Sequence, residues 1–449
     1  MSISSNLGAM AKAVQMVACG REHTIALTRG GQIWCWGDNE QGQLGIGMLS
    51  KSDYTSTSAV ASSGSFVDSS QPSSSGSLSP TLTAQQRALQ DRFFPHAARA
   101  KEASVRTNKR IRTCVLQPVK LPDVFGGATV TKIACGSWHS ICLAHRGMSS
   151  SVYVWGRAVE GQLGNGTEGE FTGTQAKRRR TNADVPTLVP SLSGLHIRTV
   201  TCGDTNTACA LAHGLLYTWG DASLGKCGHG FHQERQLLPN LVRGALIDER
   251  ITDVSLGFEH SGCVTESGRV FMWGNNYFGR LGLGDEDNRY EPCLVGGVLS
   301  DVFVTSLSCG GYHTMAVDRS GRLWVWGKAD ARLGLGSLGA TSLGGLGQKE
   351  SASIKIPRLH TMLESKGYVE RISHRDRSLD PGGTHAAKST AGDAEQLHRR
   401  TRVVKAVAAF EHSMIMTSTG QLLTFGINTC GKLGIEENLF RGVGRTGPG

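Results

Sequence analysis

Histidine is the side chain whose spacing first suggests chemistry, because imidazole nitrogens bind metals and transfer protons. Five histidines recur at one position of a repeated pattern: His23, His139, His260, His313 and His412. No cysteine or carboxylate accompanies them at the spacing of a metal site. Repetition at one place favours a shared hydrogen-bonding role, so we predict that these histidines fasten loops and that the chain binds no metal.

Three of these histidines directly follow a glutamate, in the pairs 22–23, 259–260 and 411–412. A carboxylate and an imidazole form a hydrolytic site only when a nucleophile joins them. No nucleophile partner accompanies the pairs. We therefore expect no covalent catalysis and no cofactor.

One segment, GDASLGKC (220–227), is similar to a phosphate-binding loop, with Cys227 where that loop has a hydroxyl residue. Three other segments share its register: 37–44, 274–281 and 426–433. No long helix follows to offer its N-terminus to a phosphate. A turn common to the repeats explains all four segments better than a nucleotide site.

The elements that position these residues belong to six similar units, at 17–47, 133–166, 200–230, 254–284, 307–336 and 407–436. Positions two and four after the histidine are usually apolar, and a period of two indicates strands. Turn pairs such as Gly30-Gly31 and Ser267-Gly268 then predict hairpins. The second strand of each hairpin ends in an aromatic residue, and the tryptophans at this position are Trp36, Trp155, Trp219, Trp273 and Trp326.

Each unit is a small antiparallel sheet that cannot bury its faces alone, and radial packing solves this problem. We therefore predict one all-β domain over residues 1–449, a β-propeller of four-stranded blades. Six repeats are clear, so the ring has six or seven blades. Long insertions at 50–112, 167–184 and 337–401 are predicted to be surface loops, disordered at least in part.

Positive charge is concentrated in the insertions. Residues 51–120, 168–184 and 337–405 carry net charges of +6, +1 and +5, a total of +12, whereas the whole chain carries +10. The repeats therefore carry about −2. Any nucleic-acid binding should be weak, nonspecific and confined to these loops.

The G-x-x-H-[ST], Trp-Gly and G-[QRK]-L-G steps together resemble the repeat of the regulator of chromosome condensation family. The resemblance implies a propeller, usually of seven blades. One face of the founding member binds the small GTPase Ran and promotes nucleotide exchange, and the opposite face meets chromatin. This sequence departs from the pattern at Asn206, which replaces a histidine, and at Ala409, which replaces a glycine. Either six blades close, or the ring is completed differently, or the chain is incomplete.

Between the glycine and the histidine of each unit lie two residues that differ in size and charge from blade to blade. A structural role would make them alike, and such loops converge on one propeller face. In family members that act as exchange factors, contacting residues come from these loops. The predicted partner-binding residues are Arg21, Glu22, Trp138, Asp204, Phe258, Glu259, Tyr312, Phe410 and Glu411.

Two functions follow from this sequence: an exchange factor or binder for a Ran-like small GTPase, and a GTPase-independent scaffold that holds another protein. Neither requires a catalytic triad. The basic cluster Lys177, Arg178, Arg179 and Arg180 is a candidate nuclear-import signal. We expect an intracellular monomer, cytoplasmic or nuclear, because no apolar run is long enough to span a membrane and no signal peptide is evident.

Overall fold

The alternating apolar residues form strands in the computed structural model, which describes residues 13–47, 114–166, 182–335, 353–360 and 402–434. Blade 1 contains β1 (Val14–Cys19), β2 (His23–Thr28), β3 (Ile33–Asp38) and β4 (Cys114–Lys120). Blade 2 contains β5 (Thr129–Cys135), β6 (His139–Arg146), β7 (Ser149–Gly156) and β8 (Ala183–Leu188). Blade 3 contains β9 (Ile197–Cys202), β10 (Asn206–Leu211), β11 (Leu216–Asp221) and β12 (Arg235–Leu241).

The other three sheets repeat this order. Blade 4 contains β13 (Ile251–Leu256), β14 (His260–Thr265), β15 (Val270–Gly274) and β16 (Arg289–Leu294). Blade 5 contains β17 (Val304–Cys309), β18 (His313–Asp318), β19 (Leu323–Lys328) and β20 (Ser353–Leu359). Blade 6 contains β21 (Val403–Ala408), β22 (His412–Thr417) and β23 (Leu422–Gly426). In every sheet the strands are antiparallel and lie in chain order.

The predicted fold is confirmed: the sheets form a six-bladed β-propeller. The first strand of each blade contacts the first strand of the next, from β1 through β5, β9, β13 and β17 to β21. Five of the sheets have four strands and the sixth has three within the described residues. In that part of the chain, no helix is long and apolar enough to cross a membrane.

The hydrophobic core is divided into five clusters, each between two consecutive blades. The cluster between blades 1 and 2, for example, joins Ile25 and Leu27 to Ile133 and Trp155. Burying an aliphatic or aromatic side chain contributes about 1.5–3 kcal/mol. The blades are therefore held together by their faces, since a single sheet has no core of its own.

A buried hydroxyl crosses five junctions between blades, and at four of them it also contacts a histidine. Between blades 1 and 2, Ser140 Oγ donates to the carbonyl oxygen of Gln43 at 2.9 Å and lies 2.9 Å from Nε2 of His23. A hydroxyl has one proton, so the histidine must donate from Nε2. The same arrangement joins His139 to Thr207, His260 to Thr314 and His313 to Ser413. These four histidines are thus neutral donors in the junctions.

The glycine of the G-x-x-H step is required by two close neighbours. A β-carbon on Gly20 would overlap the imidazole of His23 and lie 2.5 Å from the carbonyl oxygen of Gly136 in the next blade. A side chain at this position would therefore separate the blades. Gly136, Gly257 and Gly310 have equivalent neighbours.

The indole of each Trp-Gly step adds a second bond to the same junction. Trp155 Nε1 donates to the Gln43 carbonyl oxygen at 2.9 Å, which also accepts from Ser140. Trp219, Trp273 and Trp326 bond in the same way to the preceding blade, and all four indoles are fully buried. Trp36 is only half-buried, and no corresponding bond is present for it in the described part of the chain.

The junction between blade 6 and blade 1 lacks this bonding pattern within the described residues. His412 is half-buried and has no hydroxyl partner there, and Thr24 makes only a long contact of 3.9 Å with Cys19 Sγ. Ala409 fits this difference, because a β-carbon at the equivalent position in other blades would strike the next blade. Among the described residues, five junctions therefore carry the buried hydroxyl bond and the sixth does not.

The structure differs from the sequence interpretation in two places. Residues 353–359, inside the predicted insertion 337–401, form β20, the outer strand of blade 5. Its proline, Pro357, corresponds to Pro118 and Pro186 of other outer strands. Most of the predicted insertions, including 177–180, lies outside the described residues, although β8 begins at Ala183.

Replacing Asn206 with histidine should stabilise the protein. Asn206 is buried with both side-chain polar atoms unpaired, while Ser261 already donates to the Lys226 carbonyl oxygen and lacks the donor found elsewhere. The Asn206→His change supplies that donor and should add about 1 kcal/mol to the free energy of unfolding in urea. The gain should vanish when Ser261→Ala is added. An equal gain in both backgrounds would contradict this assignment.

Acid should destabilise the protein through the junction histidines. Burial lowers the pKa of His23 to about 4 and the pKa values of His139 and His313 to about 3. In the unfolded chain a histidine has a pKa of about 6.5, so below that pH it binds a proton while the buried histidine of the folded protein stays neutral. Each such histidine should cost about 1.4 kcal/mol per pH unit as the pH falls from about 6.5 towards 4.

The slope is measured from the free energy of urea unfolding between about pH 7 and pH 5. The variant His139→Asn copies the residue of blade 3, and its slope should be smaller by about 1.4 kcal/mol per pH unit. An unchanged slope would show that His139 titrates in the folded protein.

Candidate functional site

The G-x-x-H loops and the turns after the Trp-Gly steps lie on one side of the propeller, which we call the loop face. The first loop joins strands one and two of a blade, and the second joins strands three and four. Antiparallel strands in chain order place both connections at the same end of the sheet. The residues predicted to bind a partner therefore share one surface with the G-[QRK]-L-G turns.

Blades 4 to 6 contribute an aromatic cluster to the loop face, made of Phe258, Tyr277, Phe278, Tyr312 and Phe410. The ring centroids of Phe258 and Phe410 are 4.9 Å apart, and those of Phe410 and Tyr312 are 5.4 Å apart. Phe278 lies 5.9 Å from Tyr312 and 4.1 Å from Tyr277. Such spacings allow edge-to-face contacts. The structure thus brings three of the predicted partner residues into one continuous apolar surface.

Gly311 explains why aromatic residues of blades 4 and 6 meet across blade 5. A β-carbon on Gly311 would lie 2.8 Å from Cδ2 of Phe410 and 2.5 Å from its carbonyl oxygen. Without a side chain there, Phe410 packs down against Phe258. The short residue at this loop position is therefore part of the construction of the cluster.

Tyr312 is surrounded by cations. The guanidinium carbons of Arg280 and Arg332 lie 5.1 and 5.2 Å from its ring centroid, and Lys328 Nζ lies 5.5 Å away. Lys328 Nζ is also 4.7 Å from the ring of Phe278. Cations at these distances are attracted to the ring faces. The aromatic cluster consequently carries positive charge along its edge.

Arg280 braces the cluster from below, since its side chain is only 1% exposed. Nη1 donates to the Gly311 carbonyl oxygen at 3.0 Å and lies 3.3 Å from Glu259 Oε2, and Nε donates to the Tyr277 carbonyl oxygen at 2.9 Å. Burial lowers the pKa of Arg280, while Glu259 opposes that shift. Glu259 is therefore committed to this contact.

Two other predicted acidic residues are also engaged. Glu411 Oε2 lies 2.7 Å from Lys432 Nζ, and the hydrogen bond from Lys432 holds the pKa of Glu411 below its usual range. Asp204 accepts from the hydroxyl of Ser137, and burial raises the pKa of Asp204. Glu22 is exposed. These carboxylates differ in how readily a partner could use them.

Blades 1 to 3 form a more polar half of the loop face. Arg21 lies over Trp138, with its guanidinium carbon 5.6 Å from the ring centroid. Lys226 Nζ lies 2.6 Å from Asp221 Oδ2. Burial disfavours ionisation of Asp221, but Lys226 outweighs it and holds the pKa of Asp221 below its usual range. Lys226 of the phosphate-loop-like segment is thus bound to its own turn, which contains a three-residue 3-10 helix.

Four of the five recurrent histidines do not reach this surface. His23, His139, His260 and His313 are at most 2% exposed and are directed into the junctions. Over the residues that the structure describes, no group of three or more histidine, cysteine or acidic side chains is placed to hold a metal.

Sequence reasoning missed the second residue of the G-[QRK]-L-G turns, which follows a glycine in every blade except blade 5, where it follows Ala331. It is Gln in blades 1 and 2 but a cation in the other four, at Lys226, Arg280, Arg332 and Lys432. Its variation from blade to blade, on the same side as the G-x-x-H loops, was the available signal.

The turn aromatics Tyr277 and Phe278 were also missed. Phe278 has a positive φ of 65°, which costs a non-glycine residue about 1–2 kcal/mol. Leu224 has a positive φ of 56° at the same turn position in blade 3, so this conformation belongs to the turn. Here it places Phe278 beneath Lys328 and beside Tyr312.

Comparison with known proteins identifies the family of this propeller. The sequence profile described as the RCC1-like domain matches residues 6–437. The human E3 ubiquitin-protein ligase HERC2 is 35% identical over 211 residues, which are 46% of this chain and 4% of that protein. The Arabidopsis thaliana ultraviolet-B receptor UVR8 is 28% identical over 324 residues, 72% of this chain and 55% of the receptor. The chain thus spans a small part of one relative and about half of the other.

A solved structure supports the fold independently. That of Prp20p from Saccharomyces cerevisiae, described with its binding properties to Gsp1p and histones, superposes with a TM-score of 0.59 at 17% identity. The match covers 94% of this chain and 73% of Prp20p. The repeats, the blade order and the profile match agree, and the chain belongs to the RCC1-like domain family.

Proposed function

We propose that this propeller is a regulatory protein-binding module that holds its partner on the loop face. The observation that carries the proposal is the aromatic cluster of blades 4 to 6. It is built from loop positions that differ between blades, while the residues of the junctions repeat. Aromatic side chains surrounded by charged ones are typical of the energetically important centre of a protein interface.

The more specific proposal is that the partner is a Ran-like small GTPase and that binding promotes release of its nucleotide. The founding member of the family acts in this way, and Prp20p is described with binding to Gsp1p. An exchange factor needs only to bind the nucleotide-free state more tightly than the loaded state. A rigid face with aromatic anchors and an exposed carboxylate at Glu22 is suited to that task.

The alternative is a scaffold that binds a protein other than a GTPase. Two relatives favour the scaffold, because one is named an E3 ubiquitin-protein ligase and the other an ultraviolet-B receptor. Light sensing itself is not supported, because Trp138 is the single tryptophan in the G-x-x-H loops. A scaffold would use the same loop face, so both proposals share the aromatic cluster and differ in the partner.

The exchange proposal predicts faster loss of a fluorescent GDP analogue from a purified Ran-like GTPase. The release rate should rise at least about tenfold, and Phe410→Ala should remove most of that increase because it deletes an exposed interface anchor. The matched control is Leu294→Ala, an exposed apolar residue on the outer strand β16. It should leave the rate unchanged.

Two outcomes would separate the candidates. No acceleration and no complex with the nucleotide-free GTPase would rule out the exchange factor and leave the scaffold. For the scaffold, the dominant partner captured by the full chain should be lost when Trp138→Ala and Tyr312→Ala are combined. Equal recovery by the double variant and by Leu294→Ala would show that the loop face is not the binding surface.

A further inference from the structure

One cation on the blade 4 to 6 half of the loop face has no carboxylate partner among the described residues. Lys328 Nζ lies between the rings of Phe278 and Tyr312, at 4.7 and 5.5 Å from their centroids. It follows the Trp-Gly step of β19, whose last residue it is. Lys328 is partly exposed, so a ligand can reach its charge while the two rings attract the ammonium group.

The carboxylates around Lys328 are already used by other cations. Glu259 pairs with Arg280, and Asp330 pairs with Arg332. Further out on the same face the pairs are Glu411–Lys432, Asp285–Arg289 and Glu286–Lys355. Each of these five carboxylates is therefore paired with another cation, and in the described part of the chain Lys328 is left without a carboxylate partner.

Apolar surface lies next to this charge. Tyr277 is 57% exposed and touches Phe278, and Phe410 is 44% exposed and touches Tyr312. A ligand that covers both must bring an apolar group for the rings and an anionic group for Lys328. Only the ring of Phe278 lies between Lys328 and Tyr277, and only the ring of Tyr312 lies between Lys328 and Phe410. The apolar group and the anionic group of the ligand must therefore be close together.

We infer that the surface around Lys328 is a subsite for an acidic peptide segment with an aromatic or large aliphatic side chain beside its carboxylates. This inference rests on the proposed function and names the part of the partner that docks here. A carboxylate pairs with Lys328 while the apolar side chain packs on Phe410 or Tyr277. Arg280 and Arg332 hold Tyr312 in place between them.

A peptide suits this surface better than a nucleic acid. A phosphate backbone needs a run of cations, whereas among the residues described on this half of the loop face only Lys328 lacks a carboxylate partner. A polyanion would bring many more negative charges than Lys328 can pair with, whereas a peptide can bring only one or two acidic side chains. Nucleic acid at this site is therefore the competing outcome of the test.

The test selects a phage-displayed random peptide library against the full chain. Enriched sequences should place Asp or Glu within a few residues of an aromatic residue or Leu. Synthetic fluorescent copies should lose about tenfold or more in affinity when their acids become amides, and a similar factor with Lys328→Gln. Lys328→Arg should retain binding, and so should Lys120→Gln, which removes an exposed charge from the outer strand β4.

The inference is overturned by any of three results. The selection yields no binder, the binders lack acidic residues, or Lys328→Gln behaves like Lys120→Gln. Displacement of the peptide by a single-stranded oligonucleotide, with the same dependence on Lys328, would instead assign the surface to nucleic acid. The proposed function fails separately, since capture of the whole partner depends on Trp138 and Tyr312 and not on recognition of a short peptide.

Discussion

One buried hydrogen bond, from a histidine to a hydroxyl, organises four of the junctions between blades. The Ser140 hydroxyl has one hydrogen, which goes to the Gln43 carbonyl oxygen, so His23 must be neutral and must donate from Nε2. The imidazole then lies so close to the backbone that only glycine fits at residue 20. One hydrogen bond thus requires a histidine as donor, a hydroxyl as acceptor and a glycine that leaves room for the imidazole. These three residue types define the repeat.

Because these bonds fix the backbone on both sides of each G-x-x-H loop, the two residues between glycine and histidine are free to vary. The loop face therefore has a fixed backbone that carries different side chains in different blades. Blades 1 and 2 place Arg21 over Trp138 there, whereas blades 4 to 6 assemble five aromatic rings. Gly311 shows how one small residue lets side chains from the two flanking blades come into contact.

The sequence alone predicted the blades because strand period, hairpin turns and the Trp-Gly step are local patterns. Each of them can be recognised within a single repeat. It did not predict β20, because the long interval before blade 6 was assigned to an insertion as a whole. Pro357 was the local signal there. The contact between Phe258 and Phe410 was also beyond reach, since it depends on the curvature of the ring and on a gap at Gly311 in the intervening blade.

The distinct junction between blade 6 and blade 1 changes how the molecule should come apart. A ring with equal junctions has no weak point, but the described residues form five bonded junctions in a row, which resemble a linear array with two terminal units. Such arrays fray from their ends, so amide protons of blades 1 and 6 should open more often than those of blades 3 and 4. Phe410 belongs to one of these terminal units. A partner that binds Phe410 would therefore stabilise blade 6 against local unfolding, and the gain in stability would increase with the partner's affinity.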